Sequence, residues 1–205
     1  MQITAIKPAV KNEHRANIFV DDKFSFSLDI AQLADAKLKV GQEITDEQLS
    51  ALKHQSNFGK LYQRTLEWVL SRPHSIKETR DYLVRKKYQK PEYEITDSAI
   101  NEVIQKLQAK NYLNDMNFTT YYVENRFQKK GISTKRLRQE LLKKGISESI
   151  IAQALTDSLR DDSVEIQKVI TKLRRKNYDE QKLIQYLLRQ GFDYQLVQSA
   201  VHETD

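Results

Sequence analysis

An internal repeat constrains the fold of this chain more than any other feature of its sequence. Three short pieces begin with a leucine, an aliphatic residue and a cation, and they start at Leu83, Leu141 and Leu187. Eight residues before each leucine stands a residue type that caps helix N-termini, and these residues are Ser75, Ser133 and Asp179. A cap followed by apolar residues at four-residue spacing predicts an amphipathic helix, which we name helix B of each repeat.

A further helix is predicted on each side of helix B. Upstream, apolar residues at helical spacing indicate a helix A, and they are Tyr62 and Val69, Val123 and Phe127, and Val169 and Leu173. Downstream, a helix C is predicted to start at Asp97, Ser147 or Asp193. Three helices in so short a repeat bury little apolar surface alone, so neighbouring repeats should stack. We therefore expect a mainly α fold of three tandem three-helix repeats in an elongated, curved array.

The repeats are predicted to follow an N-terminal extension. We place the extension at residues 1–57 and the repeats at residues 58–113, 114–160 and 161–205. The first repeat is the longest because residues 89–96 lengthen the link between its helices B and C. At the end of helix B, Lys87 stands where the other repeats have Gly145 and Gly191, and lysine fits a left-handed helix C-cap less well than glycine.

The extension has the pattern of a β-hairpin followed by a helix. The strict alternation of Phe24, Ser25, Phe26, Ser27 and Leu28 places the three apolar side chains on one face of a strand. The β-prone run at residues 18–20 supplies its partner, and residues 3–6 are a candidate third strand. Residues 45–48 form a capping box that opens a helix, and residues 57–59 are predicted to end it.

Several functional classes find no support in the sequence. The chain has no cysteine, which excludes disulfides and cysteine-based metal sites. Its four histidines and five glycines form no zinc-protease, Walker or dinucleotide motif, so we predict neither an enzyme nor a cofactor or metal. The acids Asp157, Asp161, Asp162 and Glu165 are more typical of a junction between repeats than of a cation site. With no apolar run of membrane-span length and no signal-peptide core, we expect a cytoplasmic protein.

The cations concentrate in the second repeat. Between Arg126 and Lys144 there are eight Lys and Arg residues against one acid, Glu140, within a formal net charge of +6 for the whole chain. Lys135 and Arg136 lie in the predicted first turn of helix B, where the helix dipole disfavours cations and backbone N–H groups attract anions. This placement favours a phosphate or carboxylate contact. The alternative is a solvated face on which Arg136 pairs with Glu140.

Other cations recur at helix ends. Arg72, Lys130 and Lys176 close helix A, and Arg85, Lys143 and Arg189 close helix B. Such a row could follow phosphates, but the helix dipole favours cations there in any case, and we prefer that second interpretation. The run at residues 172–176 is denser and lies next to Tyr178. Tyrosines beside cations can stack on unpaired bases, although at helical spacing they more often fill seams between helices.

The same residues resemble the RecX family. The central signature of that family is similar to the segment from Leu113 to Phe118, followed by residues 121–123, Arg126, Gly131, residues 136–138, residues 140–141 and residues 144–146. Residues 75–83 resemble its first-repeat pattern and residues 187–192 its closing motif. Asn114 replaces an aspartate and Gln190 an arginine that family members usually have.

The resemblance implies a non-enzymatic negative regulator of the RecA recombinase, active in DNA repair, homologous recombination and the SOS response. Such a protein binds the RecA filament on single-stranded DNA and inhibits filament extension, ATP hydrolysis and strand exchange. We expect a cytoplasmic bacterial monomer that contacts RecA and DNA through basic helices. The predicted contact residues are Lys135, Arg136, Arg138, Lys143, Lys144, Arg126, Lys130, Arg174, Arg175, Lys176, Arg189 and Arg85.

Two other functions use the same residues differently. A direct DNA-binding module could read a groove with helix B of each repeat. A nuclease would need metal-dependent cleavage, for which the sequence offers no motif.

Overall fold

A computed structural model describes residues 1–10, 12–89, 95–176 and 178–202. The chain divides into two compact units, each of which is built from two stretches of sequence. The first unit consists of Met1–Ser71 and Tyr82–Ala109, and the second of Arg72–Asp81 and Lys110–Asp205.

The first unit opens with a three-stranded antiparallel sheet. Its strands are β1 (Ile3–Ala9), β2 (Asn12–Val20) and β3 (Lys23–Asp29), in the order β1-β2-β3. Asp21 and Asp22 join β2 to β3 with φ angles of 48° and 63°, which a two-residue hairpin turn requires. The predicted hairpin and the third strand are confirmed, and one face of the sheet forms a core with Ile44.

The prediction for Phe24 is wrong. Phe26 and Leu28 are buried, but Phe24 is 58% exposed. The pairing register shifts between Ile18, which faces Phe26, and Phe19, which faces Phe24, so Ser25 is an additional residue in β3. This β-bulge breaks the alternation of side chains and turns Phe24 onto the other face, where its ring packs edge-on against Phe19.

Helices α1 (Ile30–Ala36) and α2 (Asp46–Ser71) follow the sheet. Thr45 and Gln48 form the predicted capping box, with reciprocal hydrogen bonds of 3.0 and 3.2 Å. The predicted helix end at residues 57–59 is wrong, because α2 runs on through them. Gly59 allows close packing rather than a break: a Cβ atom there would lie 2.5 Å from the Gln32 side chain.

Helices α3 (Ile76–Gln89) and α4 (Asp97–Ala109) complete the first helical repeat. Lys87 lies inside α3, so it needs no left-handed C-cap. Helix α4 starts where predicted, but Thr96 rather than Asp97 caps it, since the Thr96 Oγ1 accepts from the Ala99 N–H at 3.1 Å. Residues 90–94 of the predicted link between these helices lie outside the described residues.

The second unit contains six further helices within the described residues. They are α5 (Asp115–Asn125), α6 (Thr134–Lys143), α7 (Glu148–Asp157), α8 (Asp162–Arg174), α9 (Glu180–Arg189) and α10 (Tyr194–His202). Ser133 and Asp179 cap α6 and α9 as predicted. Two of the three leucines that define the repeat, Leu141 and Leu187, lie in these helices and are fully buried. The mainly α fold with three-helix repeats and an N-terminal β extension is confirmed.

The helices B of the three repeats are α3, α6 and α9. A repeated joint, formed by residues of the second unit, connects each of them to the next. The Ser75 Oγ donates to the carbonyl of Lys144 at 2.8 Å, and the Ser133 Oγ donates to that of Gln190 at 2.6 Å. Gly145 has a φ angle of +81° and its missing Cβ would lie 2.8 Å from the Lys77 Cβ. Each N-cap serine therefore holds the end of the next B helix, which glycine allows to approach.

Candidate nucleic-acid interface

Helix α6 carries the first cations of the predicted interface. Its N-cap Ser133 accepts from the Arg136 N–H at 3.2 Å. The Asp162 Oδ1 accepts from the Thr134 N–H at 2.7 Å. At this helix end the chain itself therefore supplies a carboxylate to the backbone N–H groups, whereas the contact predicted for the Lys135 and Arg136 side chains stays a prediction. These two N–H groups are consequently not available to an external phosphate.

A half-buried carboxylate, Glu140, gathers two of the predicted contact residues. Arg126 Nε lies 2.7 Å and Arg136 Nε 3.3 Å from its oxygens, and the Tyr122 hydroxyl donates to it at 2.7 Å. Burial alone would raise the pKa of Glu140, but the hydrogen bonds from Arg126 and Tyr122 outweigh burial and lower the pKa to about 2. Burial and the neighbouring Glu140 raise the pKa of the Tyr122 hydroxyl. We name Tyr122, Arg126, Arg136 and Glu140 the Glu140 cluster.

The cations at the end of α6 also have partners inside the chain. Lys144 forms an ion pair with Glu78 at the joint between B helices. Burial alone would raise the pKa of Glu78, but Lys144 and Arg72 together with the Ser75 N–H lower it. Arg138 pairs at 2.6 Å with Glu148, and both side chains are about half exposed. Arg138 and Lys144 thus each pair with a carboxylate of the chain itself, as Arg136 does with Glu140.

The remaining predicted contact residues are placed differently. Arg174 donates to the carbonyl of Val201 at 3.2 Å. Arg85 is exposed on α3 in the first unit. The other predicted contact residues are exposed and have no carboxylate within 4.0 Å among the described residues, and they are Lys130, Lys135, Lys143, Arg175, Lys176 and Arg189.

Three of the predicted contact residues, Lys130, Arg136 and Lys176, line one cavity of about 340 Å³. The cavity lies where the turn after α5 faces α8 and α9. Its cations are Lys130, Arg136, Lys172 and Lys176, and its aromatic side chains are Phe127, Tyr178, Tyr186 and Phe192. We name this cavity the aromatic-cationic pocket. None of its lining residues, within the part of the chain that the structure describes, is acidic. The pocket can therefore hold a flat ring with an attached anionic group.

Phe127 reaches the pocket through an unusual backbone conformation. It was predicted on the buried face of helix A, but α5 ends at Asn125 and Phe127 has a φ angle of +49°. This left-handed conformation costs a bulky residue about 1–3 kcal/mol. The Lys130 and Gly131 N–H groups donate to the Phe127 carbonyl at 2.8 and 3.0 Å and hold the turn. The guanidinium of Arg126 lies 3.8 Å from the centre of its ring.

Sequence reasoning missed most of the pocket. It assigned tyrosines to seams between helices, yet Tyr178 is 38% exposed and lines the cavity beside Tyr186. It included Lys172 in a basic run without assigning it a contact. The available signal was the density of cations at residues 172–176 directly before an aromatic residue. Asn177, between that run and Tyr178, lies outside the described residues.

The acids near the junction of the second and third repeats have structural partners. Asp161 accepts from the Ser163 N–H at 3.0 Å and caps α8. The buried Glu165 accepts from the Ile132 N–H at 3.1 Å and pairs with Arg160 and Lys168. In the described parts of the chain, no three His or acidic residues come together as a metal site would require. No helix within those parts combines the length and apolar character of a membrane span.

Comparison with known proteins identifies related chains. Residues 1–45 match the family model described as regulatory protein RecX N-terminal domain, and residues 114–155 match that of the second three-helix domain of RecX. Regulatory protein RecX of Bacillus subtilis is 34% identical over 139 residues, which cover 68% of this chain and 50% of that protein. Its counterpart from Listeria monocytogenes is 30% identical over 141 residues, covering 69% and 50%. The matched part thus spans about half the length of these relatives.

Two solved structures have the same fold. A crystal structure of regulatory protein RecX superimposes with a TM-score of 0.72 at 25% identity, covering 97% of this chain and 98% of that one. The structure of RecX from Lactobacillus salivarius gives a TM-score of 0.53 at 26% identity, covering 72% of this chain and 96% of that one.

Proposed function

Because the chain belongs to the RecX family of regulatory proteins, we propose that it regulates the RecA recombinase by binding the filament that RecA forms on single-stranded DNA. Bound there, it inhibits filament extension, ATP hydrolysis and strand exchange. It acts by binding rather than by catalysis.

One observation carries this proposal: the second unit presents cations that the fold does not neutralise. Lys135, Lys143 and Lys176 are exposed and have no carboxylate within 4.0 Å among the described residues. Cations that the fold leaves in water can release counterions from a polyanion and so favour binding to DNA phosphates. They can also face acidic side chains of a protein filament, where complementary charge accelerates association.

The ATPase activity of RecA on single-stranded DNA tests the proposal. Titration with the wild-type protein should inhibit hydrolysis at well below one molecule per RecA subunit. Changing Lys135, Lys143 and Lys176 to glutamate should abolish most of the inhibition and leave the helical circular dichroism unchanged. The matched control changes Lys23, Lys39 and Lys53 of the first unit to glutamate, because these are also exposed and give the same change of net charge.

Two results would overturn the proposal. One is undiminished inhibition by the Lys135, Lys143 and Lys176 variant. The other is inhibition that needs saturating amounts of protein and disappears at moderate salt, because competition for bare DNA behaves in that way. The second result would favour the direct DNA-binding module.

A further inference from the structure

We propose that the aromatic-cationic pocket binds one unpaired nucleotide of single-stranded DNA, with the base against its aromatic rings and the phosphate on its cations. The inference rests on the proposed function, which names single-stranded DNA as the polymer. It adds one defined binding site for a nucleotide, whereas a purely electrostatic contact spread over the surface would need no such site.

The aromatic side chains provide a surface for a base. Tyr178 and Tyr186 pack edge to face with ring centres 6.3 Å apart, and Tyr178 is 38% exposed. Phe127 also lines the cavity and is half-buried in the turn that its left-handed backbone creates. A strained conformation at a cavity wall indicates that the position of the side chain matters. A nucleobase stacks on such rings irrespective of its sequence.

The cations provide the phosphate contact. Lys130, Lys172 and Lys176 are exposed at the rim and have no carboxylate within 4.0 Å among the described residues. Arg136 differs because it is held in place: Glu140 accepts from its Nε, and the Gln190 side chain accepts from Nη1. Within the described residues its Nη2 has no acceptor. A guanidinium fixed in this way can donate to a phosphate oxygen with little loss of side-chain entropy.

The dimensions of the pocket agree with this ligand. Its volume of about 340 Å³ lies at the lower end of the range of roughly 300–1,000 Å³ that is typical of small-molecule sites. One nucleotide is a ligand of that class. The absence of acidic lining residues in the described chain fits an anionic ligand and opposes a cationic one.

Fluorescence anisotropy with labelled single-stranded DNA tests the inference without RecA. An oligothymidylate and an oligonucleotide of equal length and charge made entirely of abasic sites separate stacking from phosphate binding. The wild-type protein should bind the first roughly tenfold more tightly than the second. Tyr178→Ala and Phe127→Ala should each remove most of this difference and leave binding of the abasic strand unchanged. Tyr194→Ala is the control, because Tyr194 is exposed on α10 and does not line the pocket.

Equal affinity of the wild-type protein for the two strands would overturn the inference, as would a difference that survives in both pocket variants. The proposed function can fail separately: specific stacking without any effect on RecA ATPase would support the pocket and contradict the regulatory role. Inhibition of RecA with no preference for strands that carry bases would support the regulatory role and contradict the pocket.

Discussion

The second unit contains two groups of cations that lie close to one another and have different surroundings. Arg126 and Arg136 share the carboxylate of Glu140, which is only 20% exposed. Lys130 and Lys176 stand at the rim of the adjacent pocket with no carboxylate within 4.0 Å in the described chain. A paired cation in a half-buried cluster stabilises the fold, whereas an exposed cation without a partner adds mainly to the external field. Counting cations in a sequence therefore overestimates the positive charge that is available to a partner. Arg136 belongs to both groups, because it pairs with Glu140 while its Nη2 has no acceptor among the described residues.

The largest effect on stability should come from the Glu140 cluster. Glu140→Gln removes the charge that two arginines and the Tyr122 hydroxyl share. We expect the free energy of unfolding to fall by about 2 kcal/mol, because charged hydrogen bonds in a half-buried site are lost and two guanidiniums lose their partner. Urea denaturation followed by circular dichroism measures this. Glu148→Gln is the control, since Glu148 pairs with Arg138 in an exposed position. An equal loss of unfolding free energy in this control would remove the distinction between the half-buried Glu140 cluster and an exposed ion pair.

The same cluster predicts a specific pH dependence. The pKa of Glu140 is lowered from 4.5 to about 2 in the folded protein, so its charged form favours folding. The resulting stability is fully present above pH 4.5 and is lost as the pH falls toward 2. The difference in unfolding free energy between the wild-type protein and Glu140→Gln should therefore shrink across this interval. A difference that stays constant from pH 6 to pH 2 would show that Glu140 does not act through its charge.

A smaller effect is expected at the joint between B helices. Lys144→Met removes the ion pair with Glu78 and keeps most of the aliphatic contact, so unfolding should become easier by about 1 kcal/mol. Lys143→Met is the control, because the Lys143 side chain is exposed and only its carbonyl takes part in the joint. Thermal denaturation of the two variants makes the comparison. Equal midpoints would place Lys144 among the cations without a structural role.

Local features of this fold could be predicted from the sequence. The caps at Ser133 and Asp179 and the capping box at Thr45 depend on residues within one helical turn, and all three form. Phe24 was misplaced because a bulge at Ser25 depends on pairing between strands. The sequence pattern at Gly59 predicted a helix end, but the glycine instead leaves room for the side chain of Gln32, which is distant in sequence.

The candidate site was less predictable because it also depends on contacts between residues that are distant in sequence. Arg136 and Glu140 are four residues apart on one helix, so their pair could be anticipated. Arg126 reaches the same carboxylate from the turn after α5, at a spacing that no helical rule supplies. The pocket needs that turn, α8 and α9 at once, and Phe127 enters it through a backbone conformation that sequence patterns do not favour.

The salt dependence of binding to single-stranded DNA tests the central distinction most directly. Each phosphate contact that is lost should lower the slope of log K against log salt by about 0.7. Changing Lys130, Lys172 and Lys176 to glutamine removes the contact with the one phosphate in the pocket, so the slope should fall by about 0.7 without a change in the free energy of unfolding, whereas the same changes at Lys23, Lys39 and Lys53 should leave both unchanged. An unaltered slope in the pocket variant, or an equal reduction in the control, would contradict the account.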